Sequence, residues 1–195
     1  MKLYRVILFL LMFPVVTQAT SEAPIELIRT TTEQVLIRLD MDPAIKKNPA
    51  RLFVLVEENI APNIDFRQLS RLVVGRHWRE ASADQQQRFT GEFKQLLIRV
   101  YSTTLAGYSG QGITYQALNS KPGGKRSVIR ATVEQLHGAA IAIDYSLYQT
   151  TSGWKIYDMK VEGISLVVTY RSNFNHEIRT NGMDGLIRHL AVLNH

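Results

Sequence analysis

Apolar residues recur at helical spacing through the first half of the chain and at strand spacing through much of the second. From Glu22 to about Arg38, Ile25, Ile28, Val35, Leu36 and Leu39 fall on one stripe, which predicts a first helix despite the β-branched run Thr30–Thr32. Asn48 followed by Pro49 marks the start of a second helix carrying Leu52, Val56 and Ile60, stopped by Pro62. Asp65 caps FRQLSRLVV and Gly75 closes it. Ser82 with Gln85 three residues on reads as a capping box for a long helix reaching about Leu105, with Phe89, Phe93, Leu96, Leu97 and Val100 among its apolar positions.

Beyond Gly112 the period becomes two. Turn signals at PGGK, LHG and TTSG separate four runs of strand character, about 113–119, 126–135, 139–148 and 153–161. Ile129, Ala131 and Val133 alternate with Arg130, Thr132 and Glu134, and Ile141, Ile143, Tyr145 and Leu147 alternate with Asp144 and Ser146, so one face is apolar and the other wet. In the fourth run Tyr157, Met159 and Val161 are expected on the apolar side, with Trp154 and Ile156 partly on the outer side. Helical spacing returns over 164–179 and, after Gly182, over 184–193. The fold class that follows is α+β: a twisted antiparallel sheet of four strands, or slightly more, with helices packed on one face.

The segment WKIYDMKVEGISLVVTYRSNF, residues 154–174, passes from strand to helix at Gly163 and is strongly apolar on both sides. Only Glu162, Ser165 and Arg171 are polar near the junction. Either this corner is solid core or it walls a pocket.

The N-terminal stretch MKLYRVILFLLMFPVVTQAT changes the reading of what remains. Lys2 and Arg5, an apolar run from Val6 to Val16, and small residues at Thr17 and Ala19 make a secretory signal peptide over 1–19, too short in its apolar part for the roughly 20 residues a membrane span needs. Cleavage after Ala19 leaves one domain, 20–195, exported and soluble. Loss of Lys2 and Arg5 lowers the formal charge from +6 to about +4. The remaining cations are spread along the chain, with RLVVGRHWRE the densest patch, and no basic stripe interleaved with aromatics points to nucleic acid. The lack of cysteine excludes disulfides, thiol catalysis and thiolate metal sites.

Catalytic patterns fail one by one. H-E-I-R-T at 176–180 has Thr180 where a zinc protease needs its second His. GGKRS at 123–127 lacks the leading glycine of a phosphate loop and joins two strands. Ser165 has no flanking glycines of a nucleophile elbow and reads as a helix-start residue. His77, Glu80, Asp84, His137 and Glu162 assemble no acid, base and nucleophile, and Glu162 reads as an anion near a helix N-terminus. No cofactor or metal is expected.

The words FRQLSRLVVGRHWREAS, QQQRFTGEFKQLLIRVYSTTLAGY, WKIYDMKVEGISLVVTYRSNF and NGMDGLIRHL, in this order behind a signal peptide, resemble the toluene-tolerance family, the periplasmic phospholipid-binding component of the Mla lipid-transport system. The resemblance covers essentially the mature chain. It implies a monomeric, non-enzymatic carrier of diacyl phospholipid in the periplasm of Gram-negative bacteria, exchanging cargo between an inner-membrane Mla transporter complex and an outer-membrane lipoprotein–porin complex. Acyl chains would lie in an apolar cavity between helices and sheet, headgroup toward solvent.

Physical chemistry agrees with such a carrier. About 30 methylenes at roughly 0.8 kcal/mol each oppose transit through water by some 24 kcal/mol, so a dry cavity near the upper end of about 300–1,000 Å3 is expected. Its walls are assigned to Val161, Ile164, Val167, Tyr170 and Phe174 at the corner, opposed by Leu97, Val100 and Tyr101 of the long helix and by Ile129, Ala131, Ile143, Tyr145, Tyr157 and Met159 of the sheet. Arg71, Arg76, His77 and Arg79, around Gly75, are assigned to partner docking. An exported binder of another hydrophobe such as a sterol or quinone, or a lipid-modifying enzyme with its site in the pocket, stays open at this point.

Overall fold

The computed structural model describes residues 23–119, 123–135 and 137–194; the stretch 1–19, expected from sequence to be a signal peptide, lies outside them. Helices α1 (Ala23–Met41), α2 (Pro49–Asn59), α3 (Phe66–Val74), the single turn α4 (His77–Glu80) and α5 (Ala83–Ser102) precede the sheet. Their starts are where the polar caps stand. Asn48 accepts from the Arg51 amide, Asp65 from that of Gln68, and Ser82 and Gln85 close a reciprocal capping box. A short 3-10 turn at Pro43–Lys47 joins α1 to α2, and another at Thr103–Gly107 follows α5.

Strands β1 (Ile113–Ala117), β2 (Arg126–Val133), β3 (Ile141–Thr150) and β4 (Gly153–Val161) form the expected antiparallel meander, and a two-residue β5 (Ile164–Ser165) extends it to five strands in sequence order. Register sets Ala131 opposite Ile143 and Tyr115, and Ile143 opposite Val161, so these side chains share the inner face. On the outer face Arg130 grips Asp144 through two contacts of 2.6 and 2.8 Å, which holds the Asp144 carboxyl below the ordinary carboxylate range.

One irregularity alters the alternation in β4. Ser146 faces Asp158 but Leu147 faces Ile156, so Tyr157 is an extra residue, a β-bulge. A single inserted residue exchanges the two faces beyond it. Ile156 and Trp154 therefore turn inward, onto the cluster of Ile28, Ile129 and Leu147, and Tyr157 packs edge-on against Tyr148 at 5.8 Å. The expected inward placement of Tyr157, and outward placement of Trp154 and Ile156, are both reversed for this reason.

The corner after β4 is a hairpin rather than a direct strand-to-helix turn. Glu162 (φ 49°) and Gly163 (φ 79°) are both left-handed, as a tight two-residue turn of this hand requires. The Glu162 carboxylate accepts from the Ala142 amide at 2.5 Å, and Asp158 does the helix-starting work instead, accepting from the Val167 amide and the Ser165 hydroxyl. Ser165 in turn accepts from the Val168 amide. Helix α6 (Leu166–Asn194) then runs to the end of the described chain, broken into the two expected runs at Gly182, which takes φ 70°.

Apolar burial falls into three clusters. α3, α4, α5 and α6 share a helical core around Phe89, Phe93, Trp78, Val167, Phe174 and Leu186. α1 and α2 meet through Val35, Leu39, Leu52 and Leu55. Ile28 of α1 joins the sheet at Ile129, Leu147 and Ile156. The stretch of α1 between Ile28 and Val35 thus bridges two clusters, and its neighbourhood holds the cavity.

Candidate functional site

α1 crosses the inner face of the sheet, and a cavity of about 390 Å3 separates the two over part of that crossing. α1 contributes Ile28, Thr31, Thr32, Val35 and Leu36; the sheet contributes Ile113, Ala131, Val133, Ile141, Ile143, Tyr145 and Ile156; Ile60 and the segment Thr104, Leu105, Gly107, Tyr108 close the remaining side. Aliphatic groups dominate the wall. Thr32 spends its hydroxyl on the Ile28 carbonyl, and Thr31 accepts from Asn63, which leaves their methyl groups as the surface offered to a ligand.

Polarity gathers at one end. Gln111 and Gln135 line the cavity where β1 begins and β2 ends, next to the Glu134 amide to Gly112 carbonyl bond of 2.9 Å. Tyr108 lies on the same rim, with its hydroxyl toward the Gln111 carbonyl and the Lys46 ammonium 5.5 Å from its ring centre. The opposite end is sealed by Ile28, Ile129, Leu147 and Ile156. Beside this sealed end, opposite Ile129, burial pushes the Tyr145 hydroxyl up to about 12, so it remains protonated at any physiological pH. Among the described residues no group of three His, Cys, Asp or Glu side chains comes together, and no helix is long and apolar enough to cross a membrane.

An aliphatic cleft between one helix and an antiparallel sheet, with its glutamines gathered at one end, fits a long amphiphile, and comparison with known proteins bears on which kind. The family model described as MlaC protein matches residues 29–192. The chain belongs to the MlaC family. Within its reach lie the toluene tolerance protein Ttg2D of Pseudomonas putida, 28% identical over 174 residues, covering 88% of this chain and 80% of that one. The MlaC binding protein of the intermembrane phospholipid transport system of Haemophilus influenzae is 27% identical over 146 residues, 73% and 68% of the two chains. The solved structure of a phospholipid-binding protein from Ralstonia solanacearum, in complex with a phospholipid, superposes with a TM-score of 0.80 at 32% identity, covering 86% of this chain and 94% of that one.

Within this family frame the expected wall residues divide into groups. Ala131, Ile143 and Tyr145 line the cavity. Ile129 is fully buried in its sealed end, and Met159 and Val161 lie half-buried on the same sheet face, beside Tyr145 and Ile143. Val167, Phe174 and Leu97 belong instead to the helical core, where Phe174 meets Phe89 and Phe93 edge-on at 5.7 and 5.3 Å. Tyr170 and Tyr101 pack half-buried against that core. Val100 and Ile164 point to solvent, 43% and 66% exposed.

The corner is therefore packed core on one side and open surface on the other, and the cavity lies elsewhere. Because one assigned wall is solid protein, the volume falls near the lower end of the usual range for small-molecule sites rather than the upper. The residues missed by sequence reasoning are those of α1 and of 104–108. Their signal was present in the threonine run inside IELIRTTTEQVLIRL, where small β-branched residues interrupt the apolar stripe of a helix and leave room beside it.

The cationic group around Gly75 is spread over a helix end. Arg71, Arg76 and Arg79 are exposed, and His77 is engaged by Glu80 at 2.8 Å. Neighbouring cations are already occupied: Arg67 lies over the Trp78 ring, and Arg171 donates to the Leu72 carbonyl.

Proposed function

We propose that this chain is a periplasmic phospholipid carrier, a single unit from 20 to 195 released from a signal peptide over 1–19. It holds acyl chains between α1 and the sheet with the polar end of the lipid at the Gln111–Gln135 rim. One observation carries this reading: the aliphatic cavity lies in a fold shared, at a TM-score of 0.80, with a protein whose structure contains a phospholipid. The physical need is plain, since a two-chain lipid does not cross water unaided. An apolar wall recognises tails without direction, and the polar rim offers neutral amides rather than a convergent set of cations. Discrimination between zwitterionic and anionic headgroups should then stay under about tenfold, or 1.4 kcal/mol.

The test is organic extraction of the native protein and mass spectrometry of the extract. Diacyl phospholipid at near-stoichiometric amounts supports the carrier; a sterol or quinone as the main species replaces its cargo, and free fatty acid accumulating from bound lipid over time turns the reading toward an enzyme.

Delivery requires partners, and the relative named as the MlaC binding protein of an intermembrane phospholipid transport system supports seeking them in such a system. The proposed partners are an inner-membrane Mla transporter complex and an outer-membrane lipoprotein–porin complex, met through Arg71, Arg76 and Arg79 with His77 beside them. Exposed charges of this kind act mainly on encounter rate. Raising ionic strength from about 0.05 to 0.5 M should slow lipid transfer severalfold in the native protein and much less in Arg76→Glu; transfer indifferent to both removes the patch from docking.

A further inference from the structure

The word NGMDGLIRHL holds a pair of residues with a chemistry of its own. Asn181 precedes Gly182, whereas every other asparagine in the chain is followed by Pro, Ile, Ser, Phe or His. An asparagine amide carbon is open to attack by the backbone nitrogen of the next residue, and a glycine there puts no side chain in the way. A regular helix would hold that nitrogen away from the amide carbon, but α6 breaks at this pair. Gly182 takes φ 70° and ψ 176°, outside helical values, between the two runs of the helix. Asn181 and Gly182 are both exposed, and a Cβ placed on Gly182 would meet no atom within 4 Å, so a ring has room to close there. Asn181 Nδ2 donates to Glu177 Oε1 at 2.7 Å, an exposed bond that water replaces at little cost.

We infer that Asn181 is a site of spontaneous covalent modification, passing through a cyclic imide with Gly182 to aspartate and isoaspartate, and that the isoaspartyl form loosens the second run of α6 from the helical core. In the first step the Gly182 nitrogen bonds to Asn181 Cγ, the Cγ–Nδ2 bond breaks, and the Gly182 amide proton passes through water to the departing group, which leaves as ammonia. Water then opens the ring, its hydroxyl going to one carbonyl carbon and its proton to the ring nitrogen. Opening at the former side-chain carbonyl leaves an aspartate. Opening at the former backbone carbonyl routes the chain through the old side chain and adds a methylene to the backbone. That methylene arrives where space is short, because a Cβ placed on Gly185 would collide with the Asn181 Cβ, which sets Asn181 directly against the Gly185 backbone. Lengthening the chain here displaces the run that carries Leu186, Ile187 and Leu190 into the core. Either product also replaces the donor to Glu177 with a second carboxylate four residues on, a repulsive pair on one helix face.

The experiment incubates folded mature protein at mildly alkaline pH and follows the tryptic peptides 172–179 and 180–188 by mass spectrometry, with fragmentation to locate the change. Asn181 is expected to convert at least about tenfold faster than Asn173 and Asn175, whose next residues are Phe and His. The isoaspartyl species, separated by cation exchange, should melt at a lower temperature than the unmodified protein. Asn181→Gln keeps a donor amide one carbon further from the Gly182 nitrogen, and should form no acidic species over the same period. Conversion at Asn181 no faster than at Asn173 overturns the inference, and so does an acidic species that accumulates equally in Asn181→Gln. Isoaspartyl protein that melts with the unmodified protein overturns the loosening of α6. None of these readouts depends on the cargo, so their failure leaves the carrier reading intact.

Discussion

Val167→Glu is expected to prevent folding, whereas Ile143→Glu is expected to give a folded protein that extracts without lipid. Both replace a β-branched residue with a carboxylate, and what separates them is the space each side chain faces. Val167 is 6% exposed within the helical core, where a carboxylate has no partner and no water, at a cost of several kcal/mol against a total stability of about 5–15. Ile143 is half-buried because it borders the cavity, and a carboxylate there reaches water through the polar rim once acyl chains are absent. Circular dichroism melts of both variants, together with the lipid content of whichever is soluble, check the pair. A folded Val167→Glu emptied of lipid would move the cargo into the helical half; a folded Ile143→Glu still loaded would remove the sheet wall from binding.

The second large effect concerns stability alone. Phe93 is fully buried and stacks on Phe89 at 5.6 Å, with Tyr170 and Phe174 edge-on at 5.2 and 5.3 Å. Phe93→Ala should cost about 3–5 kcal/mol, because α5 and α6 are each held by helical backbone and do not collapse into the space left. Denaturant melts measure this directly as a lower midpoint at unchanged slope. The cavity walls, contributed by α1, the sheet and 104–108, do not include Phe93, so lipid recovered per folded molecule should be unchanged at temperatures below the new transition.

These outcomes mark how far the amino-acid order carries. Helix starts were legible to the residue because caps are local: Asn48, Asp65 and Ser82 each accept from the amide three places on, within the first helical turn. The meander was legible because period-two alternation persists through β2 and β3. The faces of β4 were not, since a bulge leaves no mark in the alternation of WKIYDMKV, where apolar residues stand on both sides. The same ambiguity hid the cavity. A stripe such as Val167, Tyr170 and Phe174 looks identical whether it meets another protein side chain or a void, and only the position of Phe89 and Phe93 across from it decides. Ala131, Ile143 and Tyr145 line the cavity because they share the one apolar face of the sheet. The opposing wall was sought in α5 and α6, which carry the large aromatic residues Phe89, Phe93 and Phe174, and is supplied by α1, whose stripe is diluted by Thr31 and Thr32.

The bulge at Tyr157 gives β4 two phases joined within one strand. Upstream of it, Trp154 and Ile156 serve the sealed end of the sheet; downstream, Met159 and Val161 stand beside the cavity residues. Loss or gain of a single residue there acts on side chains as a frameshift acts on codons: every position on one side of the change keeps its neighbours along the chain and exchanges its surroundings. Substitutions at 157 are local events, but a one-residue deletion would either turn Trp154 and Ile156 to water and break the pairing of Ile156 with Ile64, or carry Met159 and Val161 off the inner face. Length, more than identity, is what this position holds constant.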